Sequence, residues 1–367
     1  MIVSAPSRRP RSAEHLLGAA LASRLNRLDI RSHRLFAGKL PGERRSKKRG
    51  ASVEFAEHRQ YAEGDDLRFI DWNVFARLDR LFVKLFMEEE DLALHLVVDA
   101  SASMDTPAPP GEGEAASGGG GSVTDPLGLN KKLFACRLAA AMGYVGLSGQ
   151  NRVGVTVFGT PGRERPATMA DCRGVSNTQR MVRFLLDEAW GDDDSPAGGA
   201  AGAALAESND LNGALHFVAK SRVGKGVVVV ISDCLTALPP GAEKNGGGEQ
   251  GFEPGLRSLS AVAGAGGFDV YCLQTLAPAE MDPELLGKSA LDSLAGDLRL
   301  TDAESTRAAE VTITSALVRE YKRRLGVYCD SLHSYCAARA ISHHLTRTDV
   351  DIATMLVGTL RGMGMVA

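Results

Sequence analysis

The sequence predicts an α/β fold, a mostly parallel sheet with helices on both faces. Three observations carry that reading. Short apolar runs of strand length recur at Leu92–Asp99, Arg152–Gly159, Gly226–Ser232 and Phe268–Gln274. Between them lie segments with helical spacing, at 129–147, 178–189, 210–220 and 256–263. Strands alternating with helices in this order imply parallel strands joined by crossover helices. Two of the runs also stop abruptly at an aspartate, Asp99 and Asp233. In open α/β sheets, ligands bind beyond the carboxyl ends of the strands.

Taken in order, residues 1–12 read as a disordered arm. Ala13–Phe36 has a helical leucine stripe at Leu16, Leu17, Leu21, Leu25 and Leu28. Residues 37–50 are rich in Gly, Lys and Arg. Gly50–Leu81 mixes aromatics (Phe55, Tyr61, Phe69, Trp72, Phe75) with charges (Glu54, Arg59, Asp65, Asp66, Arg68, Asp71, Arg77). That mixture predicts an irregular cap held by charge-assisted hydrogen bonds and pinned by aromatics, Trp72 among them. Leu81–Glu89 alternates like a strand and can pair with, or lie beside, the 92–99 run. The helix over 210–220 has Ser208 or Asn209 as its natural N-cap.

Past residue 274 come a strand-like Asp297–Leu300, a long helix over Ile313–Ala340 and a last helix over Asp349–Arg361, which Thr348 and Asp351 can cap. Three Gly-rich stretches, 107–128, 191–206 and 239–255, fall between elements and read as insertions that spare the core. The expected domains are therefore an N-terminal helix and cap (13–91) packed on the core, an α/β domain (92–305) and a C-terminal helical segment (306–367).

The chain has 367 residues and a net charge of −3, unevenly spread. Residues 1–50 hold 13 Lys+Arg against 3 Asp+Glu, leaving 29 against 42 for the remainder. A basic arm on an acidic body is expected to pack intramolecularly. The run Lys47-Lys48-Arg49 lacks interleaved aromatics, so nucleic acid is not expected as a partner. No apolar run reaches the roughly 20 residues of a membrane span, and Glu14, Arg24, Asn26 and Arg27 interrupt any signal-like core. The six cysteines form no CxxC pair, and reduced thiols in a cytoplasm are the default expectation. His343-His344 has no partner at ligand spacing.

The chemistry concentrates at Asp99-Ala100-Ser101-Ala102-Ser103. One carboxylate and two alternating hydroxyls are hard oxygen ligands of the kind Mg²⁺ takes. Asp233, at the end of a second strand, and a polar group at Ser208 or Asn209, at a helix start, can complete such a shell.

The five residues match the DxSxS motif of von Willebrand factor A domains and their metal-ion-dependent adhesion site. A second stretch narrows the resemblance: Arg49-Gly50 to Glu54-Phe55, then Arg59-x-Tyr61-x-x-Gly64-Asp65-Asp66-x-Arg68-x-Ile70-Asp71-Trp72, then Ala76-Arg77. This segment resembles the bacterial domain-of-unknown-function family fifty-eight, whose members are von Willebrand A-like and accompany MoxR-type AAA ATPases. The resemblance implies a Rossmann-like fold and a non-catalytic adaptor. It would hold Mg²⁺ at Asp99, Ser101, Ser103, Asn209 and Asp233, and would capture a carboxylate of a partner. The implied partners are a MoxR-type ATPase and a client protein. Asn209 stands where the family pattern places a threonine. Asp65 and Arg68 are candidate docking residues on the cap.

The competing expectation is a metal-dependent hydrolase or phosphatase using Asp99. Aspartyl phosphotransfer commonly wants a second carboxylate as acid–base partner, and two residues on stands Ser101. No HExxH and no phosphate-cradling Gly-rich Lys motif is present.

Overall fold

The computed structural model describes residues 10, 13–26, 28–30, 55–63, 65, 67, 70–86, 92–105, 130–191, 208–221, 226–235, 251–283, 297–301, 308–312 and 314–365. The chain divides into two compact units. One comprises Met1–Leu35 and Leu92–Ala367, the other Phe36–Asp91. Residues 13–91 are thus shared between them rather than forming one cap.

The larger unit is α/β, as expected. Its helices are α1 (Ala19–Leu25), α3 (Lys131–Ser148), α4 (Thr178–Trp190), α5 (Leu211–Ser221), α6 (Glu253–Gly266), α7 (Pro278–Met281), α8 (Ser315–Ala337) and α9 (Ile352–Thr354). Six strands form its sheet: β3 (Ala93–Asp99), β4 (Arg152–Phe158), β5 (Ala167–Cys172), β6 (Gly226–Ser232), β7 (Phe268–Leu276) and β10 (Ile341–Arg347). Their spatial order is β10-β7-β6-β3-β4-β5, and only β5 runs antiparallel.

β3 and β6 lie in the middle of the sheet, and all seven residues of each are buried. That explains their unbroken apolar runs, since both faces are covered. The pleat sorts the side chains between two cores. Leu94, Leu96, Val98, Val227, Val229 and Ile231 pack with α1, α3, α4 and α9. Val97, Val228, Val230 and Cys272 pack with α5, α6 and α8. Gly146 of α3 lets the helix sit close on the sheet: a Cβ there would stand 2.8 Å from Val153 Cγ2.

Several expectations needed correction. The segment read as wholly helical from 306 onward contains two strands. β9 (Ala308–Thr312) pairs with β8 (Asp297–Thr301) in a separate ribbon. β10 extends the main sheet beside β7. The sheet therefore continues past residue 305. The helix expected over 313–340 stops at Ala337, and Ala340 turns the chain at φ 53°. The last helix is capped by Asp351, whose carboxylate accepts from Thr354 N, and after Thr354 it widens into a π-type turn over Met355–Leu360. β5 also lay in a stretch with no strand signal.

In the smaller unit, β1 (Phe55–Gln60) pairs antiparallel with β2 (Phe82–Phe86), so β2 does not form a hairpin with β3. Asp71 caps α2 (Trp72–Leu78), accepting from Asn73 N and Val74 N, while its other oxygen meets His58 Nε2 at 2.9 Å. These bonds match the charge-assisted hydrogen bonding expected here. The aromatic anchor does not: Trp72 is 61% exposed and packs edge-on against Phe75. Among the residues whose burial is described, the buried apolar ones here are Ile70 and Val83.

Residues 1–9 and the insertions at 107–128, 192–206 and 239–250 lie outside the described residues. Within the stretch expected to be a loop at 239–255, Glu253–Gly255 already form the first turn of α6.

Candidate functional site

The site is built where β3 and β6 end side by side. Val98 pairs with Ile231, so Asp99 and Ser232 emerge as neighbours. Asp99 Oδ2 accepts from Ser232 Oγ at 2.5 Å, and Oδ1 accepts from Ser101 N at 2.9 Å. The second bond is an Asx turn, which bends the chain off the strand and into the loop. Ser101 Oγ and Ser103 Oγ then lie 3.0 Å apart, both half-buried. Asp233 follows one residue after β6, and its Oδ1 accepts from Leu235 N.

Asp99 is 4% exposed. Burial, reinforced by the negative charge of Asp233, pushes its pKa up to about 6 against the hydrogen bonds from Ser101 and Ser232. Two buried carboxylates at one strand edge call for a cation. The protein supplies one that the sequence reading missed. Lys131 Nζ, 1% exposed, bonds Asp233 Oδ2 at 2.8 Å and Glu280 Oε1 at 2.7 Å. Burial alone would lower the Lys131 pKa, but Asp233 and Glu280 outweigh it and hold the ammonium charged. Glu280 is itself fixed by Ala277 N, and Tyr321 of α8 donates to the Glu280 carbonyl.

Lys131 and Lys132 open α3, where the helix dipole disfavours cations. Two lysines at a helix start inside an apolar stretch were the available signal, and the buried acids explain them. Lys132 lies 3.6 Å from Asp105, and Asn130 Nδ2 donates to the same carboxylate.

Asn209 has a different place from the one expected. Its Oδ1 accepts from Gly159 N at 3.0 Å, and its Nδ2 donates to the carbonyls of Arg163 and Thr160. The side chain is spent on the turn after β4. That turn presses on the site loop: Gly159 has φ 78°, and a Cβ there would stand 2.8 Å from Ser101 N. Asn209 therefore shapes the seat of Ser101 from behind. Ser208 Oγ donates to Asp210 Oδ1, and Asp210, not Ser208 or Asn209, accepts from Gly213 N at the start of α5. Asp65 belongs to the other unit, where it pairs with Arg59 at 2.7 Å and accepts from Ala62 N. Arg68 lies outside the described residues.

Among the described residues, no three His, Cys, Asp or Glu side chains converge as a ligand set. A hard cation would instead rest on one carboxylate and two hydroxyls, with water completing its shell. The spacing suits this. Adjacent ligands of an octahedral ion with bonds of about 2.1 Å stand about 3.0 Å apart, the separation of Ser101 Oγ and Ser103 Oγ. Asp99 keeps lone-pair capacity beyond its hydrogen bonds from Ser101 and Ser232. The donor set of Asp99, Ser101 and Ser103 thus fits Mg²⁺, while Asn209 is committed elsewhere and Asp233 is already neutralised by Lys131.

Comparison with known proteins agrees with this architecture. Residues 57–326 match the family described as "Protein of unknown function DUF58". The chain belongs to that family. Uncharacterized proteins of Mycobacterium bovis and Mycobacterium tuberculosis are 26% identical over 304 residues, covering 83% of this chain and 77% of theirs. Among solved structures, proximal thread matrix protein 1 from the mussel byssus matches at 10% identity and a TM-score of 0.25. It covers 54% of this chain and 41% of that one, and carries no argument. Among the described residues, no helix of this DUF58 protein is long and apolar enough to cross a membrane.

Proposed function

We propose that this DUF58 protein is a non-catalytic interaction module. Its Asp99-Ser101-Ser103 loop would hold a divalent cation, most simply Mg²⁺, that receives a carboxylate from a partner. The observation that supports this most is the pair of half-buried serine hydroxyls set 3.0 Å apart beside a buried carboxylate at the strand ends. The cation would supply a Lewis-acidic point of attachment. The chain's own groups do the rest. Ser232 and the Ser101 amide aim the Asp99 carboxylate, and Gly159, held by Asn209, supports the loop from behind. Lys131 is engaged with Asp233 and Glu280, which leaves Asp99 to the divalent cation.

The partner favoured by the resemblance is a MoxR-type AAA ATPase, with this protein acting as its adaptor toward a client in the cytoplasm. The purified protein is mixed with the ATPase and captured with Mg²⁺ or with EDTA. Capture is expected in Mg²⁺ alone and is expected to be lost in Asp99→Ala. Capture by Asp99→Ala equal to wild type sinks the metal-bridged reading. A panel of phosphoesters tests the hydrolase alternative, because Mg²⁺-dependent turnover that disappears in Asp99→Ala would replace the adaptor with an enzyme.

A further inference from the structure

A second group of metal-binding side chains lies on α8 and β10. His333 of α8 is exposed and His343 of β10 is half-buried. Their Nδ1 atoms stand 3.3 Å apart. Neighbouring ligands in a tetrahedral site with metal–nitrogen bonds of about 2.05 Å are about 3.3 Å apart.

The proton on His343 is placed by what lies behind it. Gln274 of β7 is fully buried, and its Nε2 donates to the Asp233 carbonyl, which can only accept. The Gln274 Oε1 is therefore the acceptor that meets His343 Nε2 at 3.3 Å. That interaction puts the imidazole proton on Nε2 and leaves Nδ1 as a lone pair facing His333. A ring whose far nitrogen donates to a carbonyl oxygen is the usual support of a metal-ligating histidine.

We propose that His333 and His343 form a binding site for a borderline transition-metal cation, of which Zn²⁺ is the representative, clipping α8 to β10. Imidazole ligands suit Zn²⁺, Cu²⁺ and Ni²⁺, not Mg²⁺. Among the described residues no third His, Cys, Asp or Glu joins the pair, so water or a partner's side chain takes the other positions. The proposal uses none of the Asp99-Ser101-Ser103 groups and does not rest on the function proposed above.

The test is calorimetric titration of the full-length protein with Zn²⁺ at pH 7.5 in excess Mg²⁺, with thermal melts alongside. Wild type is expected to bind one equivalent and to melt at a higher temperature with Zn²⁺. His333→Ala, a change at an exposed position, is expected to weaken binding about tenfold or more and to abolish the Zn²⁺-dependent shift. His343→Gln provides the second variant, and Asp99→Ala is expected to titrate like wild type. Equal Zn²⁺ affinity in wild type and His333→Ala, or no first equivalent in wild type, overturns the proposal and leaves an ordinary histidine–histidine hydrogen bond.

Discussion

At the scale of single residues, the site is a problem of buried charge. Asp233 and Glu280 share one ammonium, Lys131, while Asp99 feels the charge of Asp233. Removing that ammonium strands two acids in a low-dielectric setting. Lys131→Met is expected to cost about 3 kcal/mol or more, read from urea unfolding. A loss well below 1 kcal/mol would mean that water already reaches Asp233.

Asp99 has its own pH signature. Its folded pKa of about 6 lies above the unfolded value of 3.8. The folded state therefore binds more protons across that window, and stability falls as pH rises from about 4 to about 6. The penalty, fully present above pH 6, is on the order of 2–3 kcal/mol. In EDTA, Asp99→Asn should flatten the stability profile between those pH values. An unchanged slope would place the titration elsewhere.

The position of Asp99, Ser101, Ser103 and Asp233 at strand ends could be expected, because such ends announce themselves as an apolar run cut short by acid and hydroxyl, although Asp233 is taken up by Lys131. Lys131 and Glu280 could not. They lie 149 positions apart, and neither sits in a motif. Asn209 was read at the right place with the wrong partner, because its environment is the backbone of the turn after β4, which no local pattern describes.

At the scale of elements, the central strands could be read almost to the residue. β6 was read as Gly226–Ser232, its observed span, since full burial on both faces leaves an uninterrupted apolar run. The edge strands were hidden for the opposite reason. β5 is mostly half-buried or exposed, and β10 carries His343 and His344 in partly open positions. An edge strand needs less apolar surface and resembles a loop in sequence. α3 shows how closely a central helix is fitted. Gly146→Val is expected to overpack against Val153 and Leu94, costing about 1–3 kcal/mol. A melting temperature equal to wild type would show that the helix can lift off the sheet without loss.

At the scale of the whole molecule, the two units differ in how much they bury. The α/β unit has an apolar core on each face of its sheet. In the smaller unit, among the residues whose burial is described, Ile70 and Val83 are the buried apolar side chains. Local stability follows buried apolar contact. Hydrogen exchange should therefore be fastest at the β1–β2 amides and slowest at β3 and β6. Equal protection in both would show that the smaller unit draws stability from something beyond its own core.

The larger unit is also assembled from distant parts of the sequence. Leu16, Leu25 and Ile30 share one core with Ile352, Met355, Leu356, Leu360 and Met365, and Arg24 reaches Asp351 at 3.5 Å. In synthesis, α3, which also packs on α1, follows it after about 105 residues, whereas the 352–365 segment comes some 320 residues after α1. At ordinary rates of synthesis that delay is roughly 15–65 s. Throughout it, the part of the α1 face that α9 covers stays open, while α3 can already pack on the rest. Expression of this protein should therefore depend on whatever shields nascent chains, and should suffer first when translation is slowed between α3 and α9.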